Sequence, residues 1–164
     1  MPDAAPISLD ELANRLPPGQ PLIGLDVGSK TIGIAMSDRS RRIASPRETI
    51  RRTKFAADAA RLLDIARDDR AAAFVIGLPI NMDGSEGPRA QSTRAFARNL
   101  ARLTDLAIAF WDERLSSAAV NRMLIGADRS RARRAEIIDK LAAAYILQGA
   151  LDRLARIAES RIAE

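Results

Sequence analysis

The chain has 164 residues, 47% of them hydrophobic and 29% charged, with a formal net charge of +5 and neither cysteine nor histidine. This rules out a disulfide framework and thiolate or imidazole ligation, so any metal has to be held by oxygen, which favours magnesium or manganese over zinc. No stretch approaches the ~18 apolar residues of a membrane span and no signal core follows a basic N-terminus, so the expectation is one soluble, cytoplasmic domain whose positive charge attracts a polyanion.

Residues Ser8 to Leu16 read as a short amphipathic helix, with Ser8 and Glu11 at capping-box spacing and Leu9, Leu12 and Leu16 on one side. Pro17-Pro18-Gly19-Gln20-Pro21 breaks it. Residues 1–20 are therefore taken as a helical extension with a proline-rich linker, and residues 21–164 as the domain.

The domain opens with strand Leu22–Val27, a turn over Gly28–Lys30, strand Thr31–Ser37, a basic turn over Asp38–Arg42 and an extended stretch Ile43–Ile50, which together make an antiparallel meander. A helix over Lys54–Asp68, capped by Thr53, leads to a buried strand Ala72–Leu78. The loop Pro79–Pro88 precedes a helix over Arg89–Leu103 and a fifth strand, Ala107–Trp111. A short helix over Ser116–Ile125, an arginine-rich linker Gly126–Arg134 and a long helix from about Ala135 complete the chain, the last with Ile138, Leu141, Ala142, Tyr145 and Ile146 at core-facing spacings. The pattern predicts an α/β fold: a mixed five-stranded sheet flanked by helices.

Three acids stand in apolar settings. Asp26 lies near the end of the first strand between Leu25 and Val27, with Gly28 and Gly33 leaving room for a phosphate or metal; the plainer alternative is a strand-end acid satisfying a turn amide. Glu113 follows the fifth strand, flanked by Asp112 and Arg114, and in isolation such an acid is more commonly a solvated loop residue in a surface ion pair, so only the company of the other acids raises it. Asp139 is followed on its helix face by Ala142, Ala143 and Ile146, a small apolar surface suited to packing on a sheet. Metal ligation is the favoured reading there, with a partly buried acid eased by the helix N-terminus as its alternative. Converging, the three could hold paired divalent ions that activate water for phosphodiester hydrolysis, with Lys30 or Lys140 steadying phosphate charge.

The segment Gly77 to Glu86, including Asn81, leaves the central strand at the same edge, either lining a substrate cleft or simply ending a strand and starting a helix at Pro88. Arginines cluster at 39, 41 and 42, at 51 and 52, and at 129, 131, 133 and 134; Arg133 and Arg134 precede the Asp139 helix and are placed to grip a phosphate backbone, or form a solvated face. Lys30, Asn81, Arg114, Arg133 and Arg134 are the candidate substrate-binding residues. With 4% aromatic residues there is no stacking platform for single strands. Gly28-Ser29-Lys30-Thr31 is not a phosphate-binding P-loop, because Gly24 is misplaced and Ser29 separates glycine from lysine.

The segments LIGLDVGSKTIGIAMSD, VIGLPINMDGSEGPRA, WDERLSSAAV and IIDKLAAAYILQGAL, spanning residues 22 to 151, resemble in order and spacing the YqgF/RuvX proteins, Holliday-junction-resolvase-like nucleases also described as candidate pre-16S rRNA nucleases. The resemblance implies an RNase H-like fold, with Asp26, Glu113 and Asp139 as catalytic metal ligands for Mg2+ or Mn2+. It implies a nuclease that matures the 5' end of small-subunit ribosomal RNA in precursor particles, as a monomer or homodimer, with branched DNA as the alternative substrate. The chain departs from the family in carrying Ala135 and Glu136 where basic residues are common, and in its N-terminal helix. Two other readings are a non-catalytic RNase H-like nucleic-acid-binding module and an actin-like ATPase. The ATPase would need a second domain and a second phosphate motif.

Overall fold

The computed structural model describes residues 5–115 and 131–162, with residues 131–137 as helix backbone. The expected helix over Ser116–Ile125 lies outside the described residues. Five strands, β1 (Leu22–Val27), β2 (Thr31–Ser37), β3 (Ala44–Arg51), β4 (Ala73–Leu78) and β5 (Ala107–Asp112), form one sheet in the order β3-β2-β1-β4-β5. The first three pair antiparallel, while β4 joins β1 and β5 joins β4 in parallel, giving the mixed sheet expected from the chain order. Four helices accompany it among the described residues: α1 (Leu9–Ala13), α2 (Phe55–Asp68), α3 (Pro88–Ala101) and α4 (Arg131–Ile162), with a single 3-10 turn at Glu113–Leu115.

The two faces of the sheet carry different cores because successive side chains on a strand point to opposite sides. Ile23, Leu25, Ile32, Ile34, Phe74 and Ile76 pack against Leu62 of α2 and Phe96 and Leu100 of α3. Leu22, Ala35, Val75 and Trp111 face α4, which supplies Ile146, Leu147, Leu151 and Leu154. Small residues dominate the strand side of this second core, so the long helix lies low on the sheet.

The N-terminal segment joins that second core. Ser8 caps α1 by accepting a hydrogen bond from the Glu11 amide at 3.1 Å, and Leu12 is fully buried. Ile7 donates its amide to the Ile108 carbonyl at 2.8 Å, lengthening the β5 edge by one bridge.

Three local expectations are corrected. The cap of α2 is Lys54, with no side-chain bond, and Asp58 reaches back instead, accepting from the Thr53 amide at 3.2 Å and its hydroxyl at 3.3 Å. Helix α4 begins at Arg131, several residues before Ala135, because the run 131–136 is free of glycine and proline and made of good helix formers. Tyr145 is not a core residue but is 36% exposed: the stripe that meets the sheet runs through Ala142, Ala143, Ile146, Leu147 and Ala150, and Tyr145 falls beside it.

Candidate active site

Asp26 is set into the sheet between two glycines. Its partner on β2 is Gly33. On β4 the register Leu25–Ile76 runs on to Gly77. All three lie on the face that α4 covers. A β-carbon built at Gly33 would fall 2.0 Å from the Asp139 carbonyl oxygen, and one at Gly77 would fall 2.4 Å from Cδ1 of Ile146 and 3.3 Å from Cγ of Glu113. The missing side chains therefore do two things: they let α4 descend onto the strands, and they keep the space beside Asp26 open toward Glu113.

Asp26 is 3% exposed and Glu113 8% exposed. Carboxylates buried this deeply need charge or hydrogen-bond compensation. For Asp26 part of it comes from Arg89, whose Nη2 lies 3.2 Å from Oδ1. Arg89 stands in the first turn of α3, a helix that packs on the opposite face of the sheet, and reaches around the strand ends to the acid. Sequence reasoning did not single it out. A signal was present: the first turn of α3 contains no acidic residue, and an arginine there opposes the helix macrodipole, a placement that calls for a nearby anion.

Asp139 is brought to the same end of the sheet by α4. The Thr31 hydroxyl of β2 donates a short hydrogen bond to its Oδ2. The early start of α4 leaves Asp139 about two turns inside the helix, beyond the reach of the N-terminal dipole. Among the described residues it is this hydroxyl, not the helix end, that the carboxylate is given.

Lys30 is exposed at the β1–β2 turn. Arg114 and Asn81 meet, with Nη1 of Arg114 3.5 Å from the Asn81 carbonyl oxygen, but the guanidinium is mainly engaged by Asp112 through Nε at 3.1 Å and Nη2 at 2.8 Å. Those hydrogen bonds hold the Asp112 carboxyl below its ordinary range. The Asn81 amide donates to Ser85 Oγ at 3.0 Å, closing the β4–α3 loop on itself, and Pro88 takes the first position of α3. Arg133 and Arg134 lie in the first turn of α4, and their side chains are outside the described residues.

A mixed sheet in this order, with buried carboxylates where β1 and β5 leave it and a long helix laid across one face, defines an RNase H-like α/β fold of the resolvase type. Thermus thermophilus RuvC, in complex with a Holliday junction substrate, superposes with a TM-score of 0.53 at 13% identity, covering 84% of this chain and 96% of RuvC. The yeast mitochondrial Holliday junction resolvase Ydc2 gives 0.52 at 12% identity, covering 93% and 88%. The model of the RuvX family, described as a Holliday junction resolvase, matches residues 20–153. A Nitrobacter winogradskyi protein, named as a candidate pre-16S rRNA nuclease, is 68% identical over 93% of each chain. The chain belongs to the RuvX family of nucleases.

The donor chemistry of Asp26, Glu113 and Asp139 is all carboxylate oxygen, as a hard divalent cation requires. Among the described residues these acids do not form a ready-made group of three or more around a single point. Among the described residues the Arg89 guanidinium lies beside Asp26, and Asp139 accepts from the Thr31 hydroxyl.

Proposed function

We propose that the protein hydrolyses phosphodiester bonds of ribosomal RNA, maturing the 5' end of the pre-16S transcript in precursor particles in the cytoplasm. Asp26, Glu113 and Asp139 are the acids of the site and magnesium or manganese its ion. One observation carries this reading: two buried carboxylates, Asp26 on β1 and Glu113 in the turn that follows β5, lie on one face at one end of the sheet, and Gly77 on the strand between keeps the gap open. The name of the 68%-identical relative supports RNA as the substrate. No helix among the described residues is long and apolar enough to cross a membrane.

Lys30, on the exposed turn that follows Asp26, and Arg133 and Arg134, at the start of the helix that carries Asp139, are the residues we assign to the phosphate backbone. Asn81 and Arg114 form the rim on the β4–α3 side.

The test is cleavage of a 5'-extended small-subunit rRNA precursor and of a four-way DNA junction, side by side, in magnesium or manganese, with wild type and Asp26→Asn. Trimming of the precursor that is lost in the variant is the expected result. Paired symmetric nicks in the junction would instead establish a resolvase, and that activity requires two sites related by symmetry. Unaltered cleavage by Asp26→Asn would overturn the three-acid site.

A further inference from the structure

We propose that Arg89 is a positioning residue with two alternating partners: the Asp26 carboxylate when no divalent cation is bound, and a substrate phosphate once the cation has taken its place. The inference rests on the site proposed above.

Three observations carry it. Asp26 is 3% exposed, and a carboxylate so placed needs charge or hydrogen-bond compensation whether or not a metal is available. Arg89 meets that need through one contact, Nη2 to Oδ1 at 3.2 Å, while its side chain remains 49% exposed, so most of the guanidinium's donors stay open to an incoming anion. And Arg89 occupies the first turn of a 14-residue helix, where a cation is disfavoured by the backbone dipole. A residue held against the dipole, over the most buried acid of the site, fits a counter-ion that leaves its acid when a stronger cation arrives.

The consequence is competition. A divalent ion at Asp26 has to displace Arg89, and the displaced guanidinium, tethered at the mouth of the site, is then available for bidentate contact with a phosphate. Removing Arg89 should therefore shift two affinities in opposite directions, whereas a residue that merely supports the fold would weaken both.

The experiment measures Mn2+ binding calorimetrically in wild type, Arg89→Ala, Arg89→Lys, Arg98→Ala and Asp26→Asn, with melting curves to confirm folding. Binding of a labelled oligoribonucleotide is followed by anisotropy in calcium, which takes the same oxygen donors. Arg98 lies exposed on the same helix and controls for loss of one positive charge. Arg89→Ala is expected to bind Mn2+ about tenfold tighter and RNA about tenfold weaker, the scale of one charge-assisted hydrogen bond, with Arg89→Lys between it and wild type. Arg98→Ala should leave Mn2+ affinity unchanged. If Asp26→Asn abolishes Mn2+ binding but Arg89→Ala matches wild type or Arg98→Ala, competition by Arg89 is refuted while the metal site stands. If Asp26→Asn binds Mn2+ like wild type, the site itself is wrong and this inference falls with it.

Discussion

The backbone of Asp139 rests directly on Gly33: a β-carbon there would fall 2.0 Å from the Asp139 carbonyl oxygen and 2.4 Å from its carbonyl carbon. Since Gly33 is also the strand partner of Asp26, one residue without a side chain sets the distance between the helix acid and the strand acid. Gly33→Ala cannot be absorbed by a side-chain rotation, because the obstructing atoms are backbone. It should cost about 1–3 kcal/mol of stability, the scale of an overpacked core, and should lift α4 at this point. Urea denaturation checks the first effect. Cleavage per folded molecule should fall at least tenfold, given how steeply rates depend on the placement of reacting groups. Unchanged activity would separate Asp139 from the chemistry.

Thr31 offers a milder test of the same carboxylate. Thr31→Val removes the hydroxyl that donates to Asp139 and preserves the β-branched shape that suits a strand. Stability should change by about 1 kcal/mol, the net value of one hydrogen bond, while cleavage drops between about tenfold and a hundredfold as the carboxylate loses its orientation. Thr31→Ser should restore most of the rate. Equal activity of the valine and serine variants would show that the hydroxyl does not orient Asp139.

Away from the site, Arg70 ends α2 in the left-handed region at φ 55°. Around it the Ala71 amide donates to the Ala66 carbonyl at 2.9 Å and the Arg70 amide to Arg67 at 3.2 Å, the paired bonds of a Schellman terminus. Glycine is free of the β-carbon penalty that arginine carries here, so Arg70→Gly should stabilise the protein by up to about 1 kcal/mol. A rise in melting temperature is the expected readout, and a fall would mean that the arginine side chain contributes more than its backbone geometry costs.

The turn between β2 and β3 makes a prediction about acid. Asp38 is lowered from 3.8 to about 2, first by the Ile43 amide, then by the Ser40 hydroxyl and the Arg42 amide. Because the folded value is the depressed one, its contribution to stability is complete above about pH 4 and disappears as pH falls through about 2. Asp38→Asn should therefore melt below wild type at neutral pH, and the gap should narrow between pH 4 and 2. A gap independent of pH would show that the ionised carboxylate is not what holds the turn.

Much of this was written in the chain. The apolar runs Leu22–Val27 and Thr31–Ser37 around a glycine turn prescribed strands with Asp26 near the end of the first, and Ser8 with Glu11 prescribed a helix start. The period of the last helix picked out Ala142, Ala143 and Ile146 as buried, because these are local properties of side chains at fixed spacing. Tertiary structure alone decided that β4 joins β1 and β5 joins β4, and so that Gly77 flanks Asp26 on the side away from Gly33. It also decided that Tyr145 falls outside the buried stripe, since that depends on how α4 rolls on the sheet. The pairing of Arg89 with Asp26 joins residues far apart in sequence from helix and strand on opposite sides of the sheet end, a contact no local pattern encodes. Sequence fixes which groups exist and which face each takes on its own element; only packing fixes which charges meet, because burial, not proximity along the chain, is what obliges a carboxylate to find its cation.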